Sequence, residues 1–253
     1  MAAETGEVQA YYQRILPYFE AELAERGDGG FWTWAAGTPE GCRVLELGAG
    51  TGRATEFLAR SAARVVAFDL SPELAAVARR RFADSDAPRV SFFVADMRHL
   101  ELRTRFDLIV AVDDPFVHLT EDEDRQSALE TVAAHLAPGG RFILDAAWMT
   151  PRRRRAAGRP AGLVTERSKG RLAVREACRC DPGTRQCVTR YEYRLNGDLA
   201  ATAAFRGRLW SIAELRHRAR AAGLQVAHLW GDYDRRPWDR ETSPRLIAEI
   251  ASI

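Results

Sequence analysis

The sequence predicts an α/β fold: a doubly wound, mostly parallel sheet of seven strands with a small antiparallel β insertion after strand 5. Three observations carry this expectation. From Cys42 to Trp148, short β-rich apolar runs alternate with stretches of helical spacing, the pattern of βαβ units. Those runs are continuously apolar rather than alternating, as in a sheet covered on both faces. After Met149 the rhythm breaks, and runs joined by turn chemistry take its place.

The elements follow in order. "GEVQAYYQRILPYFEAELAER" has amphipathic spacing, and Pro17 is expected to break it or to start a second helix. A link at Gly27 to Gly30 leads to the aromatic "FWTWAAG", expected to pack on the body of the domain. "CRVLEL" reads as the first strand and "TGRATEFLARSAA" as a helix. "RVVAFDL" is the second strand, and "SPELAAVARRRF" a helix with Ser71 as N-cap and Pro72 in its first turn. "RVSFFVAD" and "RFDLIVAVDD" are the third and fourth strands. "TEDEDRQSALETVAAHL" is a helix with an acidic first turn, and "PGGRFILDAAW" a turn into the fifth strand. "TPRRRRAAGRP" reads as a basic, solvated connector. Antiparallel strands are expected between Leu163 and Leu209, with "DPGTR" and "NGD" as turns. "SIAELRHRARAAG" returns to helix, closed by Gly223, before two final strands. The implied organisation is a helical cap over 1–40, a core over 41–150, an antiparallel insert or lid over 151–210, and a last helix and two core strands over 211–253.

Composition limits the function classes. The 253 residues are 46% hydrophobic and 28% charged, ordinary for a globular protein. A net charge of +2 gives no strong electrostatic case for nucleic acid or a membrane surface. The N-terminus lacks the basic start and apolar core of a secretory signal, and no apolar run nears the ~20 residues that span a bilayer. The cysteines, Cys42, Cys178, Cys180 and Cys187, are too few for a disulfide scaffold, so a reducing cytoplasm is expected. Cys178, Cys180 and Cys187 flank a turn, but no fourth ligand completes a zinc site, and they read as core or surface thiols.

Chemistry gathers at the strand ends. "LELGAGTGR" places Glu46 before Gly48, Gly50 and Gly52, where glycines let the backbone turn tightly and approach a ligand. A dinucleotide site would want its third glycine at position 53, which is Arg53. Asp69 ends the second strand, where a carboxylate can accept both hydroxyls of a ribose. Asp96 ends the third, where one can accept from an adenine amino group. In an open α/β sheet these ends line one crevice.

With these motifs the chain resembles class I S-adenosylmethionine-dependent methyltransferases of the small-molecule type. "VLELGAGTG", "VVAFDLS", "VADMRHL", "FDLIVAVDD" and "LAPGGRFIL" are similar to that family's successive motifs, from about Tyr11 to Trp148 plus the last two strands. The resemblance implies a Rossmann-like fold and S-adenosyl-L-methionine as cofactor. It implies that Glu46, Gly48, Ala49, Gly50, Gly52 and Arg53 surround the methionine moiety. Asp69 would then hold the ribose, Leu70 the adenine face, and Asp96 with Met97 the adenine edge. Val112 and Asp113 would lie under the sulfonium end.

"DDPFVHL" follows the fourth strand and admits several readings. Catechol-type enzymes bind a divalent cation here with an Asp-Asn pair after the fifth strand, but Asp145 is followed by Ala146, so no metal is expected. The segment is similar to that of glycine N-methyltransferase-like and natural-product N-methyltransferases, with Asp114 and Pro115 replacing two polar residues. His118 then becomes the candidate for handling the acceptor's proton, as a histidine of near-neutral pKa. Asp114, Phe116 and Trp148 are candidate acceptor contacts. Trp210, Trp230, Tyr233 and Trp238 read mostly as core. Tyr11 or Tyr12 would approach the methyl group from the N-terminal helix. Asp114–Pro115 as a mere turn remains the plain alternative. The expected activity is metal-independent methyl transfer to a nitrogen or oxygen of a small molecule, with no nucleic acid and no membrane as partner. An RNA- or base-modifying enzyme and a non-catalytic cofactor-binding protein are the alternatives.

Overall fold

The computed structural model of the chain describes residues 2–23, 26–37, 42–83, 89–160 and 162–253. The expected cap–core boundary at 40/41 lies outside them. Strands β1 (Arg43–Leu47), β2 (Arg64–Asp69), β3 (Val90–Val94), β4 (Phe106–Ala111) and β5 (Leu136–Ala147) pair in parallel. β10 (Leu224–Trp230) and β11 (Arg245–Ser252) join antiparallel, giving a seven-stranded sheet in the order β10-β11-β5-β4-β1-β2-β3. The order reverses beside β1 and β4, the place where open α/β sheets bind ligands.

Both faces of this sheet are covered. Leu45, Ile109, Ala111, Phe142 and Leu144 pack on one side with Leu129 and Val132 of α5 (Asp122–His135) and Leu215 of α7 (Ile212–Ala221). Val44, Val65, Leu108, Val110 and Ile143 pack on the other with Trp32 of α2 (Gly29–Ala35) and Leu58 of α3 (Arg53–Ala59). Helix α4 (Pro72–Ala83) starts as expected, its Leu74 N–H donating to Ser71 Oγ at 3.2 Å.

The insert is a four-stranded antiparallel sheet of β6 (Leu163–Lys169), β7 (Leu172–Cys180), β8 (Gln186–Leu195) and β9 (Asp198–Arg208). Its turns use the expected chemistry: Asp181 Oδ1 accepts from the Gly183 and Thr184 N–H groups, and Asn196 and Gly197 adopt φ of 55° and 93°. One face packs on helix α1 (Ala2–Leu23) through Tyr11, Ile15, Tyr193 and Phe205.

Three elements differ from the sequence reading. Pro17 lies inside α1 without ending it. Ile15 before it and Tyr18 after it pack in the cluster shared with the insert, and this tertiary contact outweighs the cost of a proline inside a helix, about 3 kcal/mol. The arginine run is not a connector but helix α6 (Pro151–Ala157), with Thr150 Oγ1 capping the Arg153 N–H and Pro151 at the first position. That Thr-Pro pair is an N-terminal signature. Strand β5 begins at Leu136, so "APGG" belongs to an irregular strand rather than to a separate turn.

One buried cluster ties the insert to the core. Arg125 is wholly buried, lies 4.1 Å over the Trp210 ring, and donates to the Leu119 carbonyl at 2.7 Å. Glu214 meets Arg125, Arg185, Arg208 and Arg218 at 3.3, 2.8, 2.6 and 3.2 Å. Glu214→Ala would leave these guanidiniums without their shared counter-ion. The expected loss is about 3 kcal/mol in urea unfolding, and a loss under about 1 kcal/mol would refute that role. None of the described helices is long and apolar enough to cross a membrane.

Candidate functional site

The "DDP" segment is scaffolding of an unusual kind. Asp113 and Asp114 both take left-handed backbone, φ 63° and 54°, a region that Asp tolerates better than most residues. Strand β5 holds them there. The Asp113 N–H donates to Asp145 Oδ2 at 3.2 Å, the Asp114 N–H to the Asp145 carbonyl at 2.8 Å, and the Ala147 N–H to Asp114 Oδ2 at 2.9 Å. Beyond this double kink, Pro115–His118 forms one tight helical turn. It sets Pro115 against Gly48 and His118 against α1.

The result is a crevice with an empty volume of about 720 Å³, open mouth included, within the usual size of small-molecule sites. It brings together Tyr12, Gly48, Asp69, Leu70, Asp96, Met97 and His118 of the expected residues. Val8, Gln9, Phe68, Ala95, Arg98, Leu119 and Asp124 line it too, and were not singled out from the sequence; so do Ser71, expected only as a helix cap, and Pro115, expected only as a replacement for a polar residue. Val8 and Tyr12 are one helical turn apart, so the spacing of α1 was the available signal. Gln9 Nε2 donates to the Leu70 carbonyl at 3.0 Å, pinning the helix over the second strand's end.

Polar groups in the crevice are held in place. Asp69 Oδ2 accepts the Gly50 N–H and Oδ1 the Ser71 N–H, each at 2.8 Å. Burial pushes this carboxyl up, and the backbone donors oppose the shift. Each oxygen keeps lone-pair capacity for a further donor. Asp96 takes both oxygens to Arg98, whose Nη1 reaches Asp124 at 2.9 Å. Burial works against ionised Asp96, but the Arg98 fork holds its carboxyl below the ordinary range. Apolar Phe68, Leu70, Ala95 and Met97 line the crevice together with these carboxylates, a mix of surfaces suited to a planar base attached to a sugar.

At the other end, Tyr12 Oη and His118 Nε2 are 2.9 Å apart. Burial drives His118 down to about 4, not the near-neutral value expected from its type, so the imidazole is neutral at pH 7. Burial, then Asp69, Asp113 and Asp114, raise the Tyr12 hydroxyl, which stays protonated. His118 Nδ1 is buried without a partner among the described residues.

Other expected residues lie outside the crevice lining. Glu46 is buried behind the glycine turn, accepts from Thr55 Oγ1 at 2.5 Å, and is pushed up to about 8 by burial. Ala49 and Gly52 shape the turn, with Ala49 N–H donating to the Phe68 carbonyl and Gly52 at φ 81°. Arg53 forms a two-pronged pair with Asp28 at 2.6 and 2.7 Å, and Asp28 also accepts from Trp32 Nε1. Val112 packs in the core. Asp113 pairs with Arg26, and Asp145 with Arg245 at 3.1 Å and Tyr233 Oη at 2.8 Å. Asp114 is buried, with one oxygen unpartnered among the described residues and a carboxyl raised to about 7 by burial. Phe116 is core, tilted on Phe142 and Trp210. Tyr11 sits among Tyr191 and Phe205 of the insert, its ring 6.3 Å from that of His118. Trp148 lies edge-on to Trp238 beside a second, smaller cavity.

Gly48 gives a stringent test of this geometry. Its φ is 65°, and an added Cβ would fall 2.6 Å from Pro115 Cβ. Gly139 has a similar φ of 74° but open space around it. Gly48→Ala should therefore lose more stability than Gly139→Ala, whose strain alone is about 1–2 kcal/mol. Thermal unfolding of the two variants checks this, and equal losses would mean that Pro115 does not abut the turn.

Comparison with known proteins agrees with the geometry. Residues 44–140 match a methyltransferase domain family. The chain is 31% identical over 210 residues, 82% of each protein, to a cypemycin N-terminal methyltransferase from Streptomyces. It is also 31% identical to a dTDP-3-amino-3,6-dideoxy-alpha-D-glucopyranose N,N-dimethyltransferase of Streptomyces fradiae, over 44% of this chain and 42% of that one. Among solved structures, the CcbJ methyltransferase of Streptomyces caelestis superposes with a TM-score of 0.76 at 23% identity, covering 89% of each chain. The amino pentose methyltransferase CalS10 of Micromonospora echinaspora, solved with S-adenosylmethionine bound, superposes with a TM-score of 0.66 at 24% identity over 91% of each. The chain belongs to the class I S-adenosylmethionine-dependent methyltransferase family, and is an enzyme that moves a methyl group from that cofactor to a small molecule.

Proposed function

We propose that the acceptor atom is a neutral amine nitrogen, held by Tyr12 and His118. The observation that carries this reading is the 2.9 Å hydrogen bond between those side chains on the crevice wall. The cypemycin enzyme, 31% identical over 82% of this chain, is by name an N-terminal methyltransferase.

The crevice fits the cofactor. Asp69 offers two acceptor oxygens for vicinal hydroxyls, apolar side chains line the crevice along with Asp96, and Gly48 leaves backbone without a side chain beside Pro115. Asp69 would hold the ribose, and Phe68, Leu70, Ala95 and Met97 the base, with Asp96 and Arg98 at its edge. Gly48 and Gly50 would flank the amino-acid end. When bound, S-adenosylmethionine supplies a methyl group activated by a sulfonium cation.

The chain's own residues then orient the acceptor. Tyr12 donates its hydroxyl proton to neutral His118 Nε2, and its oxygen lone pairs are left to accept an N–H of the amine. The amine's lone pair is thereby turned inward, toward the crevice. Such alignment supplies much of the rate of an in-line displacement. With its pKa near 4, His118 is a weak base, so its role is to orient Tyr12 rather than to strip the proton. Asp113, Asp114 and Phe116 act from behind, by holding the turn that carries His118.

The test offers the purified protein S-adenosylmethionine and a panel: a peptide with a free N-terminus, an amino sugar, a catechol and a short RNA. Mass spectrometry should show methyl gain on an amine. Methylation of the catechol oxygen or of the RNA alone would overturn the reading.

A further inference from the structure

Three cysteines in the insert have no task in methyl transfer. Cys178 and Cys180 are two residues apart on β7 and so share a face. Across the ladder, Cys187 stands opposite Cys180 and Thr189 opposite Cys178. All four side chains are buried. The three sulfur atoms lie within 4.8 Å of one another. Cys180 and Cys187 are joined as a disulfide, and the Cys178 sulfur is 3.6 Å from that of Cys180. Thr189 Oγ1 donates to Cys178 Sγ at 3.4 Å. A disulfide accounts for two of these sulfurs. It leaves the third, and its hydrogen-bonded support, unexplained.

The surroundings suit a soft cation. The second cavity, with an empty volume of about 260 Å³ including its mouth, is lined by Cys180. Met149, a thioether, lines it and packs on the same buried cluster. Arg154 and Arg185 also line it, and Arg153 is within electrostatic reach of Cys178. Arg185 is already paired with Glu214, and burial pushes the Cys178 thiol up, so Arg153 and Arg154 are the cations left to offset the negative charge that thiolates would gather. Asp181 lines the cavity as well, but its Oδ1 is engaged by Gly183 and Thr184. Zinc sites want four ligands, whereas soft thiolates select Cu(I), which accepts fewer.

We propose that the reduced cluster of Cys178, Cys180 and Cys187 is a three-thiolate binding site for Cu(I), and that the Cys180–Cys187 disulfide is its closed form. Opening the disulfide takes two electrons and two protons from a thiol reductant, which leaves as its own disulfide. Cu(I) then replaces the three S–H protons, which pass to solvent. The cavity beside the site shares no lining residue with the crevice.

The experiment uses the full chain, reduced with a phosphine under anaerobic conditions. Cu(I), supplied as its acetonitrile complex, is titrated in competition with bicinchoninate. The expected result is one Cu(I) per chain with a thiolate-to-copper charge-transfer band in the near ultraviolet. Cys178→Ser and Cys187→Ser should each weaken binding by about 100-fold or more, while Cys42→Ser keeps it. Cys178 takes no part in the disulfide, so its variant reads the third ligand without altering the cross-link, and circular dichroism checks each fold. Failure of the reduced protein to compete for Cu(I) would overturn the proposal. So would equally tight binding by the oxidised protein, by Cys178→Ser, or of Zn(II) in place of Cu(I).

Discussion

Asp69→Ala is expected to weaken binding of S-adenosylhomocysteine by about 100-fold, because two charge-assisted hydrogen bonds to a ribose contribute about 3 kcal/mol together. The carboxylate is fixed before any ligand arrives. Its oxygens each accept one backbone N–H, from Gly50 and from Ser71, at 2.8 Å. The side chain therefore has no rotamer freedom to lose on binding, which is why its removal should cost so much. It also links the glycine turn after β1 to the end of β2, so the substitution loosens the turn that carries Gly50. Calorimetry measures the affinity, and thermal unfolding separates a loosened turn from a lost ligand. A folded Asp69→Ala protein with unchanged affinity would mean that the crevice holds something other than the ribose.

His118→Ala is expected to lower turnover on an amine by about 100-fold with cofactor affinity kept. The reason is positional. Without the Nε2 acceptor, the Tyr12 hydroxyl has no fixed direction, and the amine it would hold is free to turn. His118→Gln, whose carbonyl can accept from Tyr12, should recover part of the loss. A pH profile distinguishes this role from general-base catalysis. Burial lowers His118 to about 4, so its folded-state charge appears only below that value. The rate should therefore show no break from His118 between pH 5 and 8, and its acid limb should follow the pKa of the chosen amine instead. An acid limb that stays near 6.5 whichever amine is used would assign proton removal to the histidine.

Much of the architecture was legible because it rests on local rules. The parallel strands are continuous apolar runs, and Ser71, Asn196–Gly197 and Asp181–Thr184 carry cap and turn chemistry that does not depend on distant contacts. The crevice was legible where a motif sits at a strand end: Gly48, Asp69, Leu70, Asp96 and Met97 all line it. Reading failed where a side chain's partner comes from far along the chain. Arg53 stands beside the glycine turn, yet it is taken by Asp28, 25 residues earlier. Asp113 follows the right strand but pairs with Arg26. Phe116 belongs to the core because Phe142 and Trp210 meet it there, a fact no local pattern carries. His118 was found by position, but its depressed pKa comes from burial under α1 and the insert. Helix α6 is different, since Thr150–Pro151 announced it and the charge of its arginines obscured the signal.

The most direct test of the account compares kcat and S-adenosylhomocysteine affinity in Tyr12→Phe. That substitution keeps the ring that lines the crevice and removes only the hydroxyl bonded to His118. The expected result is a fall in kcat of at least about tenfold on an amine acceptor with affinity unchanged. An unaltered kcat, or a loss of affinity that matches the loss of rate, would contradict it.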